Sequence, residues 1–342
     1  MSDEVEIGFM EARAVLQSEC LKVLPAVRRQ VDAHRQTFIW QMDKGLANSI
    51  FGIPIEKAHD ARLTSEQVRR IARENGKNYC YTCMAITPKV LALSLSIERL
   101  SHGTLSPQEE LNCFRSLIER LAVLEAALEA MSRTVRPEKI KTFDDLIEVR
   151  EAVSTLIGTR FDWSKLQLID FSKMPSKTDY FHDSAETRVD LSARNILNQI
   201  DKLQKKERYK GIRPFYNFCC EFVHPNIGDI LATTSEKQII KTQGGQLAYK
   251  TKYHEDPSKI SKDDRDFFIL FSKAYAFGTM LIREAEKVTL EYGNLLNTVR
   301  RVNRKCAHKV VKRQIACFSK DDYCPCGSGR SIRACAFRRE RP

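Results

Sequence analysis

A chain of 342 residues can bury a sizeable core in one large or two smaller domains, and its formal charge of +12 is the first feature that discriminates among functions. Residues 300–342 carry thirteen Lys/Arg against three Asp/Glu, a net of +10, so the preceding 299 residues are nearly balanced and an acidic partner would be met by the tail. The acidic opening Met1–Ile7 has no apolar segment behind it, and the most apolar run, 267–282, contains Lys273 and is too short to span a bilayer.

These features exclude an exported or membrane protein and predict a soluble cytoplasmic one, in which eleven cysteines stay reduced for metal or for packing. Apolar residues at helical spacing run from Ile7 to Ile50. Phe9, Ala12, Leu16 and Cys20 form one stripe. Val27, Val31, Phe38, Met42 and Leu46 continue it past Pro25, which marks a kink or a fresh start. Residues 53–61 read as loop. Ser65 caps a short helix that Gly76 ends, and its Arg69, Arg70 and Arg73 read as a solvated basic face. Cys80 and Cys83 stand one helical turn apart; with no second pair nearby they read as packing residues rather than half a metal site.

Helices follow over 88–100 and 107–135, broken at Gly103. Ser106-Pro107-Gln-Glu-Glu supplies a capping serine, proline at the first position and acids in the first turn. The inner stripe of the second helix is Leu117, Leu121, Leu124, Leu128 and Met131. Cys20 and Cys113 each stand alone in a helical pattern and are assigned to core. Thr142-Phe-Asp-Asp starts a helix to about Ile157, 161–182 is irregular, and 184–206 is helical. The aromatic-rich run 214–224 predicts a helix buried nearly all round, stopping where Pro225 disfavours helical geometry at His224. Residues 238–253 form a β-hairpin turning at Gly244-Gly245, and a last long helix covers about 262–317. The expected architecture is mainly α: a helical body over 1–299 with one inserted hairpin, a basic helix end and linker over 300–320, and a small knuckle over 321–342.

The chemistry concentrates in that knuckle. Cys324-Pro-Cys326-Gly-Ser-Gly is followed after eight residues by Cys335, a metal-knuckle spacing whose glycines let the chain reverse tightly. It resembles the SEC-C motif, a short zinc-binding tail first known from the preprotein translocase motor SecA and found on many bacterial proteins. The resemblance implies zinc held by Cys324, Cys326 and Cys335. The family's fourth ligand, Cys or His, is replaced here by Ala336. Structural zinc takes four ligands, so a residue from outside the motif completes the site (Cys317, His308 and Cys306 are nearest in sequence), or water or a partner does, or the knuckle holds no metal firmly.

Glu221 and His224 have the Glu-x-x-His spacing of di-metal bundles, but no second such motif exists, and with Asn217 they read as a satisfied buried polar stripe. Tyr216, Glu221 and His224-Pro-Asn226, together with Arg115-Ser-Leu-Ile-Glu119, resemble a group of bacterial proteins thought to share a HEPN-like all-α core, some with SEC-C tails. In HEPN ribonucleases an Arg precedes a His by a few residues near the end of the last helix. Arg301 and His308 have that spacing, although Val302 replaces the polar residue that usually follows the Arg. The resemblance thus implies, as the alternative to a non-enzymatic role, a metal-independent ribonuclease of defence or toxin type.

Arg301, Arg304, Lys305, Lys309, Lys312 and Arg313 repeat at helical spacing and form a cationic surface that a phosphate backbone would attract without sequence preference. The main expectation is a non-enzymatic adaptor whose basic, zinc-binding tail meets nucleic acid, the ribosome or an acidic protein.

Overall fold

The computed structural model describes residues 2–34, 76–134, 196–223, 234–253, 265–313, 319–324 and 328–335, with the single positions 64, 66, 142, 144 and 145. Among the described residues there are six α-helices and one antiparallel hairpin. In chain order they are α1 (Ser2–Ala33), α2 (Gly76–Ser101), α3 (Pro107–Thr134), α4 (Ile196–Gln204), α5 (Ile212–Val223), β1 (Thr234–Lys241), β2 (Leu247–Tyr253) and α6 (Arg265–Arg313). A 3-10 turn, Glu207–Tyr209, precedes α5. The chain is mainly α, as its periodicity predicts.

Local chemistry sets several boundaries. At the start of α3 the Glu109 N–H donates to Ser106 Oγ at 3.3 Å, and the Ser106 N–H donates back to Glu109 Oε2 at 2.7 Å. This reciprocal capping box satisfies two N–H groups that the first turn leaves without helical partners. The Ser106 N–H holds the Glu109 carboxyl below the usual carboxylate range. Thr142 and Asp145 make the same exchange, at 3.2 and 2.8 Å, at the predicted helix start. Between β1 and β2 the Gly245 N–H donates to the Thr242 carbonyl, and Gly244-Gly245 forms the expected turn. The strand begins at Thr234, earlier than the sequence suggests, with a register shift between Ser235 and Gln238.

Two expectations are corrected. α2 starts at Gly76 and runs through Pro88, so the glycine assigned to a helix end opens one. An interior proline costs about 3 kcal/mol. That cost is exceeded by burying Ile86, Val90, Leu93, Ile97 and Leu100 along one stripe, at about 1.5–3 kcal/mol for each full burial. Second, α5 is not buried all round. Ile212, Phe215, Tyr216, Cys219 and Phe222 face inward at helical spacing, whereas Pro214, Asn217 and Glu221 are exposed. The sequence misled because Phe218 lies at the edge of the buried face, where its ring still meets Phe222 at 5.0 Å. The 184–195 part of the expected helix before α5, and residues 35–63 after α1, lie outside the described residues.

The chain divides into two compact units. The first comprises 1–29, 91–122 and 200–289. Its core joins Phe9, Leu16 and Cys20 of α1 to Phe114, Leu117 and Leu121 of α3, the inner face of α5, and Phe267, Phe271 and Tyr275 of α6. Aromatic rings hold the α5–α6 seam: Phe215 lies 4.8 Å from Phe277, and Phe222 lies 5.5 Å from Phe271. On another side of α6, Gly278 lets α3 approach closely, since a Cβ there would fall 2.3 Å from the Phe114 ring. Cys113 is only half-buried, so of the two cysteines assigned to core Cys20 alone is fully interior.

The second unit comprises 30–90, 123–199 and 290–342. Its described core includes Val31 and His34, Ile86 and Val90, Leu124 and Leu128, Tyr292 and Leu296. The predicted inner stripe of α3 is buried at Leu117, Leu121, Leu124 and Leu128, each counted in its own unit, and the side chain of Met131 lies outside the described residues. In this unit the His34 ring stands edge-on to Tyr292 at 5.8 Å, and the Tyr292 hydroxyl shares a hydrogen bond of 2.5 Å with Thr87.

The α5–α6 seam yields a graded expectation. Phe222→Ala, at a site with 4% exposure, should destabilise by about 3–5 kcal/mol in urea unfolding, and half-buried Phe218→Ala by clearly less. Equal losses for the two would show that the seam is not where the fold places it.

Candidate functional site

The knuckle is built by a short ladder. The Cys324 N–H donates to the Arg330 carbonyl at 2.8 Å and the Ile332 N–H to the Asp322 carbonyl at 2.7 Å, which pairs Tyr323 with Ser331. A tight turn then brings the Ala334 and Cys335 N–H groups onto the Ser331 carbonyl, at 3.0 and 2.9 Å. Cys324 and Cys335, eleven positions apart, are thereby both drawn out of solvent, with 1% and 6% exposure. Ser328 Oγ donates to Cys335 Sγ at 3.9 Å.

Among the described residues of 319–335 the buried side chains are those two cysteines and Ile332. An element that encloses two sulfurs and one aliphatic group has no hydrophobic core of its own. Two buried thiols would supply half of the four donors a structural zinc takes, and such metal binding supplies folding free energy directly. The chemistry of these two side chains is compatible with zinc, and the other donors would have to come from residues outside those described. Cys326, Ala336 and Cys317 lie outside the described residues, as do the side chains of Cys306 and His308 on α6 and of Cys80 and Cys83 on α2. Among the described residues no three His, Cys, Asp or Glu gather into a cage.

The predicted nucleic-acid residues Arg301, Arg304, Lys305, Lys309, Lys312 and Arg313 all lie on the unbroken last turns of α6, a helix of 49 residues. Their side chains, like those of Arg301 and His308 in the alternative catalytic pairing, are outside the described residues. The helix sets those two positions seven residues apart, about 10 Å along its axis.

The polar stripe expected on α5 is corrected. Asn217 and Glu221 are exposed and so do not belong to a buried network, and His224 lies outside the described residues. The polar group that does engage is Tyr216. Its hydroxyl donates to Glu119 Oε1 at 2.9 Å, while Arg115 Nε reaches the same oxygen at 3.2 Å and its guanidinium lies 6.0 Å from the Tyr216 ring. Burial, and then the hydrogen bond to Glu119, push the Tyr216 hydroxyl up to about 12, so it acts as a donor at any ordinary pH. Arg115, Glu119 and Tyr216, which carry part of the HEPN-like resemblance, are thus brought together. Gln108, further up the same face of α3, donates to the Phe222 carbonyl at 2.8 Å and ties down the end of α5.

A second polar cluster had no signal in the sequence. Glu110 is fully buried, and Arg13 donates to its Oε1 from Nε at 2.9 Å and from Nη2 at 2.8 Å. Tyr275 donates to Glu110 Oε2, and Arg13 also donates to the Leu105 carbonyl. Burial raises the Glu110 carboxyl above the usual carboxylate range, against the opposing pull of the Tyr275 hydrogen bond and the Arg13 charge. Burial, with Glu110 and Glu19 nearby, pushes the Cys20 thiol up to about 12 and leaves it inert. On α6, Glu284 is buried with Lys287 Nζ at Oε1 and Arg208 Nε 3.8 Å from Oε2, a cationic pair around one carboxylate.

No family model, no curated protein and no solved structure matches the chain.

The Glu110 cluster sets a pH dependence. Its carboxyl binds a proton more readily folded than unfolded, so its contribution to stability falls as pH rises from the ordinary glutamate value through the raised one. Glu110→Gln should remove that slope from the stability–pH curve and cost about 1–3 kcal/mol for the disturbed hydrogen bonds. An unaltered slope, measured by urea unfolding across mildly acidic pH, would assign the dependence elsewhere.

Proposed function

We propose that this chain is a non-enzymatic adaptor of the reducing cytoplasm, in which a SEC-C-like zinc knuckle and the basic end of α6 together engage a polyanion, nucleic acid or ribosomal RNA. The observation that carries the reading is the knuckle's interior: Cys324 and Cys335 are buried where an apolar core would otherwise have to be. Zinc, when bound, cross-links the thiolates and so fixes the turn that follows the basic helix. The backbone does the rest. α6 continues without a break through Arg313, so Arg301 to Arg313 keep helical register as a rigid cationic rod up to the start of the tail. Among the described residues no helix is long and apolar enough to cross a membrane. The HEPN-like likeness of the body rests on Arg115, Glu119 and Tyr216 and on the mainly α architecture.

Two experiments test this. Full-length protein prepared reduced and metal-replete should contain zinc by elemental analysis, and Cys324→Ser/Cys326→Ser/Cys335→Ser should lose it; zinc-free wild-type protein would remove the metal from the reading. RNA affinity should fall steeply with salt, with a logarithmic slope of about −0.7 for each phosphate neutralised on single strands. Charge reversal at Lys309, Lys312 and Arg313 should flatten that slope. Binding to an acidic protein but not to RNA would redirect the same surface to that partner. Metal-independent RNA cleavage abolished by His308→Ala would replace the adaptor with the ribonuclease, because a catalytic base acts in the transition state rather than in binding.

A further inference from the structure

The knuckle does not stand off from the helical chain. Gly329 has φ +64°, and a Cβ built on it would fall 2.6 Å from the Ala33 carbonyl oxygen, 2.9 Å from the Ala33 carbonyl carbon and 2.9 Å from the Asp32 carbonyl oxygen. All three atoms are backbone, so no rotamer change relieves the approach. They belong to the C-terminal end of α1, which closes at His34 with an N–H donated to the Val31 carbonyl at 3.2 Å. Two independent demands therefore converge on one residue: a left-handed backbone and no side chain at all.

We propose that the turn Ser328–Arg330 is an intramolecular docking element whose receptor is the carbonyl end of α1. The chemistry at both sides suits this. A helix C-terminus presents carbonyl oxygens and the negative end of its dipole, and Arg330, the next residue after the seated glycine, is exposed and carries positive charge. The receptor is firm. His34, one residue past the contact, is 2% exposed and packs edge-on to Tyr292, whose hydroxyl is bonded to Thr87. The knuckle is held just as tightly behind the turn, since Cys324 donates to the Arg330 carbonyl. Docking thus joins residues 32–34 to residues 328–330 by backbone-to-backbone packing that any side chain at position 329 blocks. A partner that grips the Ser328–Arg330 turn must first displace α1, which makes the contact a latch on the adaptor surface. The inference uses the knuckle of the proposed function but requires neither RNA binding nor a particular fourth ligand.

The test separates the two demands on Gly329. Asparagine tolerates the left-handed region better than other side chains, so Gly329→Asn in the full-length protein keeps the turn and adds a side chain whose Cβ meets the α1 carbonyls. Hydrogen exchange should then quicken by about tenfold or more over peptides spanning residues 27–34, with zinc content and the exchange of α5 unchanged. Unchanged exchange at 27–34 in a zinc-retaining Gly329→Asn protein overturns the latch and leaves the adaptor reading intact. Should the variant lose its zinc, the wild-type contact is read directly: a benzophenone side chain installed at the exposed position 330 should cross-link within the chain to peptides covering 27–34. Cross-links that avoid those peptides also overturn it. Loss of salt-dependent RNA binding in wild type, with the cross-link present, would instead strike the adaptor reading alone.

Discussion

Glu110 is the constraint on which the first unit depends. A carboxylate with no exposure must be given partners, and here they come from three directions: Arg13 on α1, Tyr275 on α6 and, through Arg13, the Leu105 carbonyl that precedes α3. Removing one member of such a buried charged set costs more than forming the set gains, because the remaining charge stays in low dielectric. The interaction therefore acts less as a source of stability than as a penalty on every other register of α1 against α3 and α6. The apolar stripes around it, Phe9 and Leu16 on one side and Phe271 on the other, tolerate small slides; the Arg13–Glu110 pair does not.

What the sequence made legible follows the range over which each signal acts. Ser106 and Glu109 lie three positions apart and exchange hydrogen bonds along the chain, so their box could be read directly, as could Thr142 with Asp145 and the Gly244-Gly245 turn. The stripe of Leu117, Leu121, Leu124 and Leu128 was equally local, since 3.6-residue periodicity needs only one helix to show itself. The pair Arg13–Glu110 spans 97 positions and Tyr275–Glu110 spans 165, and nothing in either segment marks the other. α5 failed for a different reason. Phenylalanine content signals burial of the helix as a whole, whereas exposure is decided residue by residue, and Asn217 and Glu221 sit on its exposed side.

The candidate site divides the same way. Spacing alone singled out Cys324 and Cys335 as candidates, and the structure buries both beside a ladder only a few residues long. Arg115 and Glu119 meet Tyr216 through one hydroxyl and one shared carboxylate oxygen, a contact that spans about a hundred positions and that no local pattern announces. The partner of Gly329 was not legible. A glycine in a Cys-Pro-Cys-Gly-Ser-Gly run is already explained by the turn, so its second duty, admitting the carbonyls of Asp32 and Ala33, leaves no separate trace in sequence.

That double duty has an energetic consequence for the tail. The described residues of 319–335, with two buried thiols and one buried isoleucine, cannot offset their own ordering entropy by apolar burial. On the proposed zinc-binding reading two sources stabilise the tail, metal at the thiols and packing of the turn against α1, and both act on the same short ladder between Asp322 and Ile332. Because the ladder must be formed for either to operate, each makes the other cheaper, which is positive coupling through a shared folding step. By reciprocity, whatever strengthens zinc binding must strengthen the docking by the same factor, and a partner that lifts the turn from α1 must weaken the hold on zinc. For the proposed knuckle, with Ala336 at the position where the SEC-C motif has its fourth ligand, packing of Gly329 against the end of the first helix would supply part of the ordering that such a ligand gives.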